Sequence, residues 1–156
     1  MSIRWIENVS REDVKNGEHF NAGENSMLIQ IVDPDSGFPT PKRHFTEIHQ
    51  FEFLDAEDIN ECPEESKISD EQAAKIVNLL HHAISHDMNV LVHCHAGICR
   101  SGAVVEVASM IGFTATGKYR QPNIRVKNKM LKALGLTYDA DEVFNQDDWR
   151  NFKLID

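Results

Sequence analysis

Residues 90–101 read VLVHCHAGICRS, an apolar run that leads into a loop with cysteine, glycine, arginine and serine. Its apolar start is typical of a buried β-strand. Its middle holds one glycine, Gly97, and an amphipathic apolar run from 103 to 111 follows directly. The stretch therefore predicts a strand, a short loop and the start of a helix. Because the first N–H groups of a helix have no partner within it and the helix dipole adds positive charge there, we expect the loop to bind an anion.

Three chemically active side chains lie in this loop. Cys94 begins it, Arg100 follows after five intervening residues, and Ser101 adds a hydroxyl. Nearby N–H groups and a guanidinium favour a thiolate, which is the reactive form of cysteine. A guanidinium also presents a fork that matches two phosphate oxygens. The alternative, a structural cysteine at the end of a strand, does not explain why Gly97, Arg100 and Ser101 arrive in order at a helix start.

The order His93-Cys94-x5-Arg100-Ser101, with Gly97 in the middle, resembles the active-site loop of the cysteine-dependent protein tyrosine phosphatases. The short chain is similar to the compact dual-specificity branch, of the bacterial and phage type. The resemblance implies an α/β fold with a central, twisted, mostly parallel sheet flanked by helices. It also implies a phosphatase that needs no metal and no other cofactor.

The resemblance further implies a role for each loop residue. Cys94 attacks phosphorus to give a phosphocysteine, which water then hydrolyses. Ser101 contacts the sulfur and eases breakdown of that intermediate, while His93 holds the loop and helps to keep Cys94 ionised. The residues that bind the phosphate are His95, Ala96, Gly97, Ile98, Cys99 and Arg100.

A general acid must protonate the leaving group. In dual-specificity phosphatases it is an Asp that follows an upstream strand of alternating apolar residues. Residues 51–55 read FEFLD, so Asp55 is the first candidate and Asp58 the second. The polar stretch 60–67 lengthens the separation from Cys94 and leaves the choice between them open.

Two further residues near the loop have alternative interpretations. Asn123 follows Pro122 at a predicted helix start, and the resemblance implies that its side chain braces the catalytic loop; a simple N-cap explains it equally well. Cys99 could pair with Cys94 on oxidation, although a tight loop disfavours the geometry that a disulfide needs.

Composition limits the kind of protein. The chain has 156 residues, 41% hydrophobic and 26% charged, which predicts one domain over residues 1–156. A net charge of −9 argues against general binding to nucleic acid or acidic membranes. Three cysteines without a secretory signal or an apolar span indicate a reducing, cytoplasmic location. We expect a monomer.

Strands and helices alternate along the rest of the chain, which predicts an α/β sheet with helices on both faces. Cys94 then lies at the carboxyl end of a strand, where such sheets bind ligands. The predicted strands are 3–6 (at an edge), 27–32, 48–53 and 89–93. The predicted helices begin at residues 10, 69, 100 and 122, a loop covers 113–121, and a last helix falls within 138–156.

Two polar clusters have a plain and a functional interpretation. Lys42, Arg43 and His44 form either a solvated loop face or a rim that attracts a phosphorylated substrate. The second cluster is His81, His82 and His86, at the end of a predicted helix. Positive side chains are favourable at a helix C-terminus, and a metal site is the alternative.

Two alternatives to a protein tyrosine or dual-specificity phosphatase stay open. One is a catalytically dead module that binds phosphorylated partners. The other is a phosphatase of small phosphoesters, because the sequence does not distinguish a phosphorylated protein from a small molecule as substrate.

Overall fold

The computed structural model describes residues 3–135, so the helix predicted within 138–156 lies outside the described residues. Strands and helices alternate along the described chain. The strands are β1 (Trp5–Ser10), β2 (Ser26–Val32), β3 (Glu47–Glu52), β4 (Asn89–Cys94) and β5 (Thr114–Ala115). The helices are α1 (Arg11–Asn16), α2 (Asp70–Ser85), α3 (Arg100–Met110) and α4 (Ile124–Ala133), with a 3-10 turn at Glu64–Ser66.

The five strands form one sheet in the order β3-β2-β4-β1-β5. All four pairings are parallel. The predicted α/β fold is therefore confirmed, and in the described residues the sheet is parallel throughout. Strand β4 lies at its centre, so the loop that follows Cys94 starts from the middle of the sheet.

Successive residues of β4 point to opposite faces of the sheet. Val90, Val92 and Cys94 belong to the large core that α2, α3 and α4 cover. Leu91 packs on the other face, with Val14 of α1. His93 shares the face of Leu91, so its ring and the thiol of Cys94 leave the strand in opposite directions.

Local capping explains where the helices begin. Ser69 and Gln72 form the predicted capping box at the start of α2: the Ser69 side chain accepts from the Gln72 N–H, and the Gln72 side chain accepts from the Ser69 N–H. Ser10 caps α1 in the predicted way, by accepting from Asp13 N–H. Gly17 ends α1 in the left-handed conformation at φ 71°.

Two details of the prediction are wrong. The first strand spans Trp5–Ser10 rather than 3–6, and it lies between β4 and β5 rather than at an edge. The polar residues Glu7 and Asn8 do not look like part of a buried strand in the sequence. In the structure both are buried and have hydrogen-bond partners. The edge strand beside β1 is instead the two-residue β5, within the segment predicted as loop.

Candidate active site

The loop between β4 and α3 is fixed through its carbonyl groups. Four donors from outside bind four of them: Arg11 N to His95 O at 3.1 Å, Asn8 Nδ2 to Gly97 O at 2.7 Å, Gln121 N to Ile98 O at 3.1 Å and Asn123 N to Cys99 O at 3.0 Å. In a planar trans peptide the N–H points away from the C=O. The N–H groups of residues 96, 98, 99 and 100 are therefore turned to the inner side of the loop.

The inner side of the loop has no acceptor within the described chain. None of the N–H groups of residues 95–100 donates a hydrogen bond to a described residue. Unpaired N–H groups are costly unless water or a ligand satisfies them. The loop therefore has the form of an anion cradle.

Gly97 is required by this geometry. Its φ is 75°, and a Cβ there would lie 2.3 Å from the carbonyl carbon of Val9. The loop thus touches the end of β1. Asn8, from the same strand, also binds Tyr119 O at 2.9 Å and so ties the loop to the segment before α4.

Cys94 and Ser101 lie side by side. Sγ of Cys94 is 3.2 Å from Oγ of Ser101, and both residues are buried. Cys94 is the last residue of β4 and Ser101 the second of α3, so the loop folds back to bring strand end and helix start together. The hydroxyl is placed to donate to a sulfur that carries negative charge.

Arg100 is buried and held by one nitrogen. Its Nη1 donates to Asp33 Oδ1 at 2.7 Å and to Phe53 O at 2.8 Å. Nε is buried without a partner in the described residues, and Nη2 has none there either. One edge of the guanidinium is thus anchored, while the Nε–Nη2 edge is free to bind two oxygens of an oxyanion.

His93 is fully buried. Its Nδ1 lies 3.3 Å from Cys94 O, and since a carbonyl only accepts, Nδ1 carries the hydrogen. Burial, followed by the positive charges of Arg11 and Arg100, lowers the pKa of His93 to about 4. The imidazole is neutral at pH 7, so its contact with the loop is a neutral hydrogen bond rather than an ion pair.

The two candidate acids lie in different surroundings. Asp55 lines a cleft of about 380 Å³ together with Cys94, Cys99 and Arg100. Asp58 instead binds Nη1 of Arg125 at 2.6 Å, and it is not among the residues that line the cleft.

Asn123 has the N-cap role considered for it, whereas its side chain makes no hydrogen bond to the catalytic loop. Its Oδ1 accepts from Val126 N–H at 3.0 Å and caps α4, while its own N–H binds Cys99 O of the loop. Its Nδ2 donates to Asp55 Oδ1 at 2.7 Å and to Ala56 O at 3.3 Å. The side chain thus supports the candidate acid, and the backbone supports the loop.

The segment that carries Asp55 is fastened to α4 by two more groups. Glu57 accepts from the N–H of Ile124 and of Arg125, both at 2.8 Å. Arg125 is nearly buried and also donates to Ile68 O at 2.9 Å. The start of α4 therefore fixes the segment that follows β3.

Cys99 faces the cleft as a free thiol. Its pKa is raised, first by burial and then by the negative charges of Asp55 and Cys94. Cys62 and Cys94 are also free, and no disulfide joins Cys94 to Cys99.

Sequence reasoning missed Asn8 and Asp33. Asn8 lies in β1, a strand that its polar residues make hard to recognise from the sequence. Only the pairing of β1 with β4 brings Asn8 to Gly97. Asp33 directly follows β2, and β2 is the other neighbour of β4. A polar residue at the carboxyl end of a parallel strand is the signal that could have identified Asp33.

The two polar clusters lie outside the cleft. Lys42, Arg43 and His44 are exposed, and Arg43 Nε donates to Gly17 O at the end of α1. His82 binds Glu47 at 2.8 Å, and the Nδ1 of His86 lies 2.9 Å from His82 O. Among residues 3–135, no group of three or more His, Cys, Asp or Glu side chains is arranged to hold a metal ion.

None of the helices in residues 3–135 has the length and apolar character that a membrane span requires.

The chain is similar in part to a family model and to solved structures. No curated protein sequence matches the chain. The solved structure "Crystal structure of Tk-PTP in the active form" aligns with 85% of this chain and 80% of its own, at 17% identity and a TM-score of 0.43.

The family model matches residues 47–115, and its description is "Tc-R-P: Polymorphic toxin system, DSP-PTPase phosphatase". This segment runs from β3 to β5 and contains Asp55, Cys94, Arg100 and Ser101. By that match, residues 47–115 of the chain are dual-specificity phosphatase-like.

Proposed function

We propose that the chain hydrolyses phosphomonoesters through a phosphocysteine, as a metal-independent protein tyrosine or dual-specificity phosphatase. The observation that carries the proposal is the set of unpaired donors around Cys94. The N–H groups of residues 96, 98, 99 and 100 and the Nε–Nη2 edge of Arg100 lie around the cleft without an acceptor among the described residues. Donors fixed in this way are worth about 3 kcal/mol each when they bind charge that develops in a transition state.

The first step forms a sulfur–phosphorus bond. The thiolate of Cys94 attacks phosphorus, and the bond from phosphorus to the leaving oxygen breaks. Asp55 gives its proton to that oxygen, since an alkoxide or phenoxide is a poor leaving group without one. The loop N–H groups and Arg100 bind the equatorial oxygens while their charge is redistributed.

The second step breaks that bond. Water attacks phosphorus, and the Asp55 carboxylate accepts its proton. The sulfur of Cys94 leaves as a thiolate, and the hydroxyl of Ser101, 3.2 Å away, donates a hydrogen bond to it. The products are inorganic phosphate and the starting enzyme.

Hydrolysis of p-nitrophenyl phosphate by wild type, Cys94→Ser and Cys62→Ser tests the proposal. We expect wild type and Cys62→Ser to be active and Cys94→Ser to be inactive. Cys62 is the matched control because it is a free thiol that does not line the cleft. Acid quenching of wild type during turnover, followed by mass spectrometry, is expected to find phosphate on Cys94.

The alternative is a module that binds phosphorylated partners without turnover. An inactive wild type between pH 5 and 8 that still binds inorganic phosphate would favour that alternative. Activity that survives Cys94→Ser would contradict the phosphocysteine mechanism itself.

A further inference from the structure

A second pocket, of about 290 Å³, adjoins the cleft. We call it the Arg11 pocket. It shares Asp33, Cys94 and His95 with the cleft. Its own walls include Arg11, Ser36 and His93. The pocket has several times the roughly 30 Å³ of a water molecule, so it is large enough for a ligand group.

Arg11 is held beside the phosphate loop by the backbone. The preceding residue, Ser10, is the register partner of Cys94, and the Arg11 N–H donates to His95 O at 3.1 Å. Its guanidinium makes one hydrogen bond, from Nη1 to Gly37 O at 2.8 Å. No carboxylate of the described residues forms an ion pair with Arg11.

The other charged groups of the pocket do not cancel Arg11. The negative charge of Asp33 is paired with Arg100 at 2.7 Å. Burial keeps the pKa of His93 low, so that ring is neutral near pH 7. The Ser36 hydroxyl donates to Asp33 O and adds no charge. The pocket therefore places the positive charge of Arg11, which has no carboxylate partner among the described residues, next to Cys94.

We propose that the Arg11 pocket binds a second anionic group of the substrate, so that the preferred substrates are phosphomonoesters with a phosphate or carboxylate close to the scissile phosphate. This inference rests on the proposed function, because the first phosphate must occupy the loop. The same chemistry has two sources: a small molecule with two acidic groups, or an acidic side chain next to a phosphorylated residue in a peptide.

Two pairs of substrates distinguish these sources. The small-molecule pair is phenyl phosphate with a meta carboxymethyl group against its uncharged methyl ester. The peptide pair has Glu or Gln directly beside phosphotyrosine. For each pair the ratio of kcat/KM, charged over uncharged, is measured for wild type, Arg11→Gln and Lys15→Gln.

We expect wild type to prefer the charged member of at least one pair about tenfold, the value of one hydrogen bond between charged groups. Arg11→Gln is expected to bring that ratio close to one. Lys15→Gln is the matched control: it removes a positive charge from the same helix, but Lys15 is exposed, pairs with Glu12 and does not line the pocket. Its ratio is expected to equal that of wild type.

Preference for the charged member of the small-molecule pair alone assigns the pocket to small substrates with two acidic groups. Preference within the peptide pair alone assigns it to acidic peptides. A ratio near one in wild type for both pairs overturns the inference, as does a preference that Arg11→Gln retains or Lys15→Gln removes. Failure of the proposed function looks different, since wild type would then hydrolyse none of the four compounds.

Discussion

Asn123 donates a hydrogen bond from Nδ2 to Oδ1 of Asp55 at 2.7 Å, across 68 residues of sequence. Its Oδ1 meanwhile accepts from the N–H of Val126 and caps α4. One side chain thus fixes both a helix start and a carboxylate of the cleft. The two contacts can be separated by mutation, because a shorter side chain can still cap the helix but cannot reach Asp55.

Asn123→Ser is predicted to keep the stability of the protein and to lower its activity. Serine is a good N-cap, whereas alanine is not and costs about 1 kcal/mol. Neither a serine nor an alanine side chain reaches Asp55, so we expect kcat on an alkyl phosphate to fall about tenfold in both Asn123→Ser and Asn123→Ala. Thermal unfolding and kcat are the measurements. A serine variant with the wild-type kcat would show that the contact to Asp55 has no role in catalysis.

Asp55→Asn is predicted to lower kcat about 100-fold or more on alkyl phosphates, which need a proton most, and less on p-nitrophenyl phosphate. It is also expected to remove the fall of kcat on the basic side of the pH profile. Asp58→Asn serves as the control. Because the ion pair of Asp58 with Arg125 is largely exposed on the Asp58 side, we expect this change to cost under about 1 kcal/mol of stability and to keep the profile. The opposite result would make Asp58 the acid.

Asp33→Asn is predicted to weaken phosphate binding by releasing Arg100. Asp33 and Phe53 O hold Nη1 of Arg100, which directs the other edge of the guanidinium toward the cleft. We expect KM for p-nitrophenyl phosphate to rise about tenfold, the effect of one charged hydrogen bond. Asp35→Asn, a neighbouring exposed carboxylate that does not line the cleft, is expected to leave KM unchanged. An equal rise of KM in the two variants would show that Asp33 acts only through its negative charge and not through its contact with Arg100.

Gly97→Ala is predicted to destabilise the protein and abolish activity, because its Cβ would lie 2.3 Å from the backbone of Val9. Gly23→Ala is the matched control: Gly23 also has a positive φ, 86°, but a Cβ there meets nothing within 4 Å. It is expected to cost about 1–2 kcal/mol from backbone strain alone. Urea unfolding of both variants measures the difference. A similar loss of unfolding free energy in the two variants would mean that the loop shifts away from Val9 and accommodates the added Cβ.

The buried His93 predicts how stability depends on pH. Its folded-state pKa, about 4, lies below the 6.5 of an unperturbed histidine. Between these values the unfolded chain binds more protons, so stability is complete above pH 6.5 and is lost as the pH falls toward 4. The loss from this group is about 3 kcal/mol at most. His93→Asn keeps a donor near Cys94 O and removes the titration.

Urea unfolding at several pH values tests this expectation. The free energy of unfolding of His93→Asn is expected to vary less with pH than that of wild type. His81→Asn, on the exposed surface of α2, is expected to keep the wild-type dependence. Parallel curves for wild type and His93→Asn would contradict the role of His93 in acid sensitivity.

Most of the fold was predictable because its signals are local. The apolar start of 90–101, the capping box at Ser69 and the Ser10–Gly17 pair each act within one element. Strand β1 was placed wrongly, since Glu7 and Asn8 look exposed until their distant partners, Phe20 and Gly97, are known.

The candidate site was predictable in part, for the same reason. Cys94, Arg100 and Ser101 are near in sequence and near in space. Asn8, Asp33 and Arg11 reach the loop only because β1 and β2 flank β4. The choice of Asp55 over Asp58 as the candidate acid likewise depends on the start of α4, where Asn123 binds Asp55 and Arg125 binds Asp58.

The attachment of residues 55–57 to the start of α4 has a consequence for turnover. Asn123 and the backbone of Ile124 and Arg125 hold this segment before any substrate arrives. Many enzymes must close a lid over each substrate, a motion of microseconds to milliseconds that often limits kcat. If Asp55 is the proton donor, as proposed, it is already in place, so the protein is expected to spend none of its catalytic cycle on closure and solvent viscosity to have little effect on its rate.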